Sequence, residues 1–441
     1  MRNRFNEYKS NVAIVSEGRL YTYEDLDLEI SRVLNKIKKE NITSGETIFL
    51  LSDYSFKAIA WLLALYENKN IVVPITSVVE KEISEKINEV TVDAVVNLRL
   101  DTISKIKKNR VRHNIIKKLN SENKSGLIIF SSGSTGKPKA MIHDMDNLVS
   151  VYLNKRIRKI TFMVFLMFDH IGGINTLFNC LSTGATVVIP TKREPEEVIS
   201  LIDNYKVQIL PTSPTFLNLM LMSGVLDKYD TSSLRMITYG TEIMPDSLLN
   251  RLKKSFNRVK FLQTFGTSET GIMKSSSKSS SSTFIKLDDP DQEYKIVKGE
   301  LWLRSKTQVL GYMNHSMESF TDDGWFMTGD LVEQDGEYIK IKGRLKEVIN
   351  VGGEKVLPAE VENVLMSHPY VKDCTVHGAI NPITGQTVIA NVMVKLGLDK
   401  KIIRKELKSF CKDNLEGYKV PTKFKFVESN EYTDRFKKVR V

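Results

Sequence analysis

A loop rich in glycine, hydroxyl groups and lysine offers the clearest chemistry in this 441-residue chain. It reads Ser131-Ser-Gly-Ser-Thr-Gly-Lys-Pro-Lys139 and directly follows an apolar run at residues 127–130. Glycines let backbone N–H groups approach an anion closely, and hydroxyl and ammonium groups supply further donors. The spacing is not that of a Walker A loop, because the glycines are too close together and a proline follows the first lysine. The residues favour a phosphate-gripping loop of another kind over a flexible surface loop.

Two later turns carry carboxylates. Gln263-Thr-Phe-Gly-Thr-Ser-Glu-Thr-Gly271 follows an apolar run, and Thr328-Gly-Asp330 forms a second turn. The aromatic ring can stack on a base, the glycine permits close approach, and the glutamate can bind a hard cation. The aspartate can accept two hydrogen bonds from vicinal ribose hydroxyls. A third turn, Tyr239-Gly-Thr-Glu-Ile243, is a weak signal by itself.

The elements that must position these turns alternate along the first 265 residues. Short apolar runs predict strands at residues 48–51, 71–75, 94–96, 127–130, 162–165, 185–189, 236–238 and 260–264. Helix-period segments lie between them, and one begins with a capping-box-like Thr22-Tyr-Glu-Asp25. The alternation predicts an α/β fold: mostly parallel sheets covered by helices, with ligands beyond the carboxyl ends of the strands.

The chain changes character after a serine-rich stretch at residues 274–282, which predicts a mobile surface loop. Short strands and two helical segments follow, and they predict a small α+β domain. We expect a large N-terminal domain over residues 1–343 and a small, mobile C-terminal domain over residues 344–441.

Composition narrows the classes of protein. A hydrophobic fraction of 41% with 27% charged residues indicates a globular chain. The net charge of +11 suggests attraction to phosphates, but no basic-aromatic stripe supports nucleic-acid binding. Three widely spaced cysteines argue against a disulfide framework or a four-cysteine zinc site. No run approaches the ~20 apolar residues of a membrane helix and no signal-like stretch opens the chain, so a cytoplasmic protein is expected.

The glycine-rich loop closely resembles the phosphate loop of the adenylate-forming superfamily, which includes acyl- and aryl-CoA synthetases, luciferases and adenylation domains. Further matches follow in the expected order, and the most specific one runs from Gly343 to Glu362. The resemblance implies that a carboxylic acid reacts with ATP, with Mg²⁺ bound, to give an acyl-adenylate and pyrophosphate. A thiol, of coenzyme A or of the phosphopantetheine on an acyl carrier protein, then takes the acyl group.

The resemblance also implies roles for individual residues. The nucleotide would be held by Ser132, Gly133, Ser134, Thr135, Gly136, Lys137, Gly240, Thr241, Glu242, Thr264, Phe265, Gly266, Ser268, Asp330 and Arg344. Glu269 would hold Mg²⁺, and Lys346 would be the hinge of the domain rotation. The residues expected to act in catalysis are Lys437, Thr135 and Glu269.

The C-terminal lysine can be assigned in two registers. Counting from Thr433 puts Phe436 where the family has glycine and makes Lys437 the catalytic lysine. Counting from the apolar residue that usually follows the lysine selects Lys438 instead. Lys437 is the preferred assignment, with Lys438 the alternative and with no strong effect expected from its removal.

The substrate end of the site centres on Phe168-Asp-His-Ile-Gly-Gly-Ile174. The resemblance implies that His170 and Gly240 border the acid. Amino-acid-activating members carry Phe-Asp here, so Asp169 could instead pair with a substrate ammonium. The His-Ile-Gly-Gly context favours an acid without an amino group. An amino-acid-activating enzyme and a degenerate, non-catalytic nucleotide-binding protein are the alternatives.

Overall fold

Two sheets build the N-terminal part of the computed structural model, which describes residues 1–106, 111–131, 137–433 and 435–440. The first is parallel except at one edge, whereas the second combines parallel and antiparallel strand pairs. Their central strands are largely buried, as expected for parallel strands covered on both faces, whereas the edge strands Arg19–Thr22 and Thr102–Lys105 have no buried residue. In spatial order, the first sheet contains Lys260–Gln263, Met236–Tyr239, Ile209–Thr212, Thr161–Met163, Thr186–Ile189, Val12–Ser16 and Arg19–Thr22. The second contains Gly311–Tyr312, Lys139–Asp144, Gly126–Ser131, Ile71–Ile75, Thr47–Leu51, Ala94–Asn97 and Thr102–Lys105.

Helices connect these strands and cover the sheets. They span Tyr23–Lys39, Phe56–Glu67, Glu80–Glu89, Asn114–Ser121, Met145–Ser150, Ile171–Thr183, Pro195–Asn204, Pro214–Ser223 and Asp246–Ser255. The capping box expected before the first of them is present: the Thr22 hydroxyl accepts from the Asp25 N–H, and the Asp25 carboxylate accepts from the Thr22 N–H at 2.8 Å. The α/β class predicted from the alternating pattern is confirmed.

An antiparallel sheet follows the parallel ones. Its strands lie, in spatial order, at Ser275–Ser277, Ile285–Leu287, Tyr338–Arg344, Phe326–Asp335, Glu300–Ser305 and Gln292–Val297. The expectation of a mobile loop for the serine-rich stretch was therefore wrong at its start, where Ser275–Ser277 forms a strand. Serine hydroxyls bond the neighbouring strand here: Ser275 Oγ donates to the Gln263 carbonyl at 2.8 Å, and Ser280 Oγ accepts from the Phe261 N–H at 2.9 Å. Tertiary hydrogen bonds, not apolar burial, order this segment.

The C-terminal domain has a sheet and a core of its own. The strands are Glu354–Val356, Ile349–Val351, Gly385–Val394, Val371–Asn381 and Lys423–Phe426, and the helices are Pro358–Ser367 and Lys400–Asn414. Their buried apolar side chains form a cluster separate from those of the large domain. A separate α+β C-terminal domain is thus present, while its boundary at residue 343 stays a prediction. No helix in the described ranges is long and apolar enough to cross a membrane.

Candidate active site

Two of the predicted motifs meet at the carboxyl ends of neighbouring parallel strands, Met236–Tyr239 and Lys260–Gln263. Gly240 lies so close to Thr264 that a Cβ on the glycine would be 2.8 Å from the Thr264 carbonyl oxygen. Thr241, which follows, has a left-handed φ of +69°. The sheet therefore brings the Gly240–Glu242 turn against the Thr264 segment, at the edge where α/β folds bind ligands.

Glu269 lies in the turn of a tight hairpin formed by Phe265–Thr267 and Gly271–Met273. The two strands approach closely because Gly266 has no side chain; a Cβ there would be 2.5 Å from the Gly271 carbonyl oxygen. The half-buried Glu269 carboxylate accepts a hydrogen bond from the Tyr312 hydroxyl at 3.1 Å. Burial, together with this carboxylate, raises the pKa of Tyr312.

The donor chemistry at Glu269 fits Mg²⁺. Among the described residues, no cluster of three or more His, Cys, Asp or Glu side chains could hold a metal ion without help from a ligand. Mg²⁺ in nucleotide sites is typically bound by one or two carboxylates together with phosphate oxygens. Glu269 is placed to supply such a carboxylate.

Asp330 and Arg344 occupy partner positions on the neighbouring strands Phe326–Asp335 and Tyr338–Arg344. The Arg344 Nε donates to Asp330 Oδ1 at 3.0 Å. Burial raises the pKa of the Asp330 carboxyl, although Arg344 opposes the shift. The pairing places Asp330, which is predicted to bind the ribose, beside Arg344, the first residue of the predicted C-terminal domain.

The C-terminal tail folds into a small hairpin in which Tyr432 and Lys438 pair. The Phe436 N–H donates to the Thr433 carbonyl at 2.8 Å, and the Thr433 N–H donates to the Lys437 carbonyl at 2.9 Å. Phe436 has a φ of +51°, in the left-handed region that favours glycine. Phe436, which stands where the family usually has glycine, thus has a backbone conformation that favours glycine, and this supports the register with Lys437.

Lys437 shares a pocket with Thr241 and His170 of the large domain. Burial, together with the nearby cations Arg344 and Arg435, lowers the pKa of its ammonium to about 8. Although Glu242 and Asp330 oppose this shift, the ammonium forms no ion pair with any of the described residues. It is therefore suited to stabilise negative charge brought by a ligand.

Lys438 has a different environment. Its buried Nζ lies 2.6 Å from Asp373 Oδ1 and donates to the Cys374 carbonyl at 2.8 Å, both in the C-terminal domain. Asp373 also accepts from Tyr432 and Asn430. The expectation that losing Lys438 matters little conflicts with this burial, because removing it would leave a buried carboxylate without its cation.

Glu242 is held by contacts within the protein. Its Oε2 accepts from the Thr215 hydroxyl at 2.6 Å, and its Oε1 accepts from the Lys438 N–H at 2.7 Å. The side chain predicted to contact the nucleotide therefore joins the large domain to the tail. The Gly240 N–H is also engaged, since it donates to the Thr212 carbonyl at 3.4 Å, and Thr241 is the residue of this turn that lines the pocket.

His170 caps the helix Ile171–Thr183, since its Nδ1 accepts from the Gly172 N–H at 3.1 Å. Burial lowers the pKa of the imidazole well below its usual value, so the ring is neutral near pH 7. Gly173 allows the chain to turn tightly here, because a Cβ would lie 2.2 Å from the Met167 carbonyl oxygen. His170 thus combines the structural role of a cap with a position on the pocket.

Asp169, the alternative substrate contact, is buried between cations of the protein itself. Its Oδ1 lies 3.5 Å from Arg435 Nη2, and its Oδ2 lies 4.0 Å from Lys86 Nζ. Two cations of the protein thus lie near this carboxylate, while its buried Oδ1 has no hydrogen-bond partner among the described residues.

Six pocket residues were not among the predicted site residues: Phe165, Leu166, Met167, Arg193, Arg435 and Phe436. Arg193 lies just beyond the carboxyl end of the strand Thr186–Ile189, and its Nη1 lies 2.6 Å from Asp53 Oδ2. The strand-end rule could have found Arg193. Nothing in the sequence indicated Arg435, which donates to the carbonyl of Phe130 at 3.3 Å.

The remaining predicted residues belong to the phosphate loop, to the Glu269 turn and to the predicted hinge. Ser132, Gly133, Ser134, Thr135 and Gly136 of the phosphate loop lie outside the described residues. Lys137 is exposed, and Ser268 lies in the turn beside Glu269. Lys346 is exposed in a single 3₁₀ turn, Leu345–Glu347, between the antiparallel sheet and the C-terminal domain. This position is consistent with the predicted hinge.

The family follows from sequence comparison. Residues 1–313 match the AMP-binding enzyme family, and residues 360–437 match the AMP-binding enzyme C-terminal domain. The chain belongs to the AMP-binding enzyme family. The resemblance to the adenylate-forming superfamily is thereby confirmed.

Curated relatives include several CoA ligases. A 2-succinylbenzoate–CoA ligase of Bacillus licheniformis is 31% identical over 325 residues, which cover 68% of this chain and 66% of the relative. An indoleacetate–CoA ligase of Aromatoleum aromaticum is 29% identical over 68% of this chain and 63% of its own length. The aligned part of the chain thus spans slightly less than two thirds of each of these relatives.

Solved structures show the same fold. An anthranilate CoA ligase in complex with anthranoyl-AMP superposes with a TM-score of 0.82 at 20% identity, covering 99% of this chain and 94% of that one. The o-succinylbenzoate CoA synthetase of Bacillus subtilis, with its acyl-adenylate intermediate, gives 0.80 at 20% identity and covers 99% and 96% of the two chains.

Proposed function

We propose that this protein is an AMP-forming acid–thiol ligase, which activates a carboxylic acid with ATP and transfers the acyl group to a thiol. The observation that carries the proposal is the position of Lys437. The tail hairpin of the small domain places this half-buried ammonium in one pocket with His170 and Thr241 of the large domain. Its low pKa and the absence of an ion pair with any of the described residues are what a cation awaiting an anionic ligand would show.

The residues divide the work of the first half-reaction. The acid carboxylate attacks the α-phosphate, and pyrophosphate leaves with the electrons of the broken P–O bond. Both reactants are anionic, so alignment and preorganised positive charge dominate the barrier. Lys437 would supply charge at the reacting phosphate, Glu269 would hold Mg²⁺, and Asp330 would bind the ribose. Mg²⁺, when bound, neutralises phosphate charge.

The second half-reaction uses a thiol that attacks the acyl carbon and releases AMP. Names of relatives support coenzyme A as the acceptor. We propose coenzyme A first, with a carrier-protein phosphopantetheine as the alternative, and a cytoplasmic location in line with the three free, buried cysteines.

An amino-acid substrate is the weaker candidate because of Asp169. A carboxylate that pairs with a substrate ammonium should be available to it, whereas Asp169 already lies between Arg435 and Lys86. The pocket therefore favours an acid without an α-amino group.

The test is ATP–pyrophosphate exchange over a panel of acids. The panel contains 2-succinylbenzoate, indoleacetate, 4-coumarate and anthranilate, straight-chain fatty acids and the common amino acids. The proposal is supported if at least one acid without an α-amino group gives exchange and if this exchange is lost in the Lys437→Ala variant. Measurable ATP binding without exchange for any acid would point to a non-catalytic nucleotide-binding protein, and exchange confined to amino acids would establish the weaker candidate.

Acyl transfer is then measured with the best acid. Coenzyme A and a holo acyl carrier protein are offered separately, and thioester formation is followed by mass spectrometry. Transfer to the carrier protein alone would contradict the choice of acceptor but not the adenylation step.

A further inference from the structure

The acid pocket is completed by the tail of the small domain. Its large-domain side consists of Phe165, Leu166, Met167, His170, Arg193 and Thr241, and its other side is formed by tail residues 435–437. Phe436 contributes an aromatic ring there. Its ring centroid lies 5.3 Å from that of Phe165 and 5.1 Å from that of Phe216.

The Phe436 ring is held firmly in place. Its carbonyl accepts from the Ser213 hydroxyl at 3.0 Å, and the ring packs against an apolar cluster of the large domain. The residue adopts a left-handed φ of +51°, which an ordinary side chain rarely does. Such a conformation persists where the surroundings determine it, and it is often found at functional sites.

The space left beside the ring is small. The 280 Å³ of empty space around the pocket includes open solvent, and the enclosed part has room for about one water molecule. The Phe436 ring therefore occupies space that a longer acyl group would need.

We infer that Phe436 is a specificity-determining residue that limits the size of the acid, so that compact acids are activated in preference to long-chain ones. The inference rests on the proposed adenylation of a carboxylic acid. A glycine at this position would leave a channel towards Phe165 and Phe216, and longer acyl chains could bury additional methylenes against those rings.

The experiment compares Phe436→Gly and Phe436→Trp with the unaltered chain. Glycine adopts a left-handed φ without strain, so the tail hairpin should be preserved. ATP–pyrophosphate exchange is measured for straight-chain acids from acetate to dodecanoate. The control is Phe426→Ala, a half-buried phenylalanine that packs on the small-domain core.

Opposite shifts are expected. Phe436→Gly should gain about fourfold in relative kcat/KM for each methylene that the channel newly buries, and Phe436→Trp should shift the preference to shorter acids. Phe426→Ala should keep the original profile. A uniform loss over all acids in Phe436→Gly would show that the ring only positions the tail, and an unchanged profile would show that it does not limit size. Either result overturns the inference while exchange itself upholds the proposed function.

Binding provides a measure that does not depend on turnover. If the unaltered chain exchanges with no acid in the series, the affinities of acyl-sulfamoyl adenosines of the same lengths are measured for all variants. A length preference that moves with residue 436 supports the inference. If none of these analogues binds, both the inference and the proposed adenylation are overturned.

Discussion

Raising the pH of the assay from 7 to 10 should switch off adenylate formation by removing the proton of Lys437. Burial and two neighbouring arginines hold the pKa of this ammonium at about 8. The shift is downward, so the charged form is lost at a lower pH than for an ordinary lysine with a pKa of ~10.4. The fraction protonated is about nine tenths at pH 7 and about one tenth at pH 9, given one tenfold change per unit away from the pKa.

The assay is the pH profile of kcat/KM for ATP, which reports ionisations of the free enzyme. We expect a plateau below pH 7.5 and a fall of about tenfold per unit above pH 8.5. Thioester formation from supplied acyl-adenylate is the internal control, since Lys437 is not expected to act in that step. Lys437→Arg gives a second control, because a guanidinium keeps its charge throughout this range.

Two results would refute the reasoning. A profile that is flat to pH 10 would mean that Lys437 keeps its proton or has no part in adenylation. A fall with the same midpoint in Lys437→Arg would assign the titration to a different group. The comparison uses midpoints and not absolute rates, because arginine does not reproduce the geometry of lysine.

Three further predictions concern the metal, the hinge and the tail. Glu269→Gln should lower adenylation by at least ~10², with Glu293→Gln as an exposed control; unchanged activity and Mg²⁺ dependence would remove Glu269 from the site. Lys346→Pro should keep one half-reaction, more readily adenylation, and lose the other, because proline fixes φ at the proposed hinge; equal loss of both, measured separately, would place the hinge elsewhere. Lys438→Ala should lower the free energy of unfolding of the small domain by about 3–5 kcal/mol, because it leaves the buried Asp373 carboxylate unpaired. Adding Asp373→Asn to the same chain should recover part of this loss in thermal unfolding. Unchanged stability of Lys438→Ala would show that the buried pair contributes little.

Much of the fold could be predicted because buried parallel strands leave a continuous apolar signal. Residues 48–51 and 71–75 were expected as strands and form adjacent parallel strands of one sheet. The serine-rich segment gave the opposite impression, because its strand is stabilised by hydroxyl–backbone bonds, which have no apolar periodicity. Composition alone could not distinguish those bonds from a solvated loop.

The candidate site could be predicted where a motif is contiguous. Gly240 and Thr264 come from separate motifs, but the order of parallel strands indicates that their ends meet. The ion pair of Arg435 with Asp169 joins residues far apart in the chain and in different domains, so no local pattern indicates it. The preference for Lys437 over Lys438 likewise gains support from the φ of Phe436 and the burial of Lys438, neither of which a local sequence pattern shows.

The contacts of the tail indicate how the proposed domain rotation would move Lys437. On the small-domain side, Lys438 binds Asp373, and Arg440 forms a two-pronged ion pair with Glu362 at 2.9 Å for each bond. These are buried, charge-assisted bonds, which are strong and costly to break singly. On the large-domain side, the tail makes fewer charged contacts. One of them is the 3.5 Å approach of Arg435 to the Asp169 carboxylate. The tail should therefore rotate with the small domain as one unit, so that opening the site for the thiol withdraws Lys437 and the neighbouring aromatic ring together.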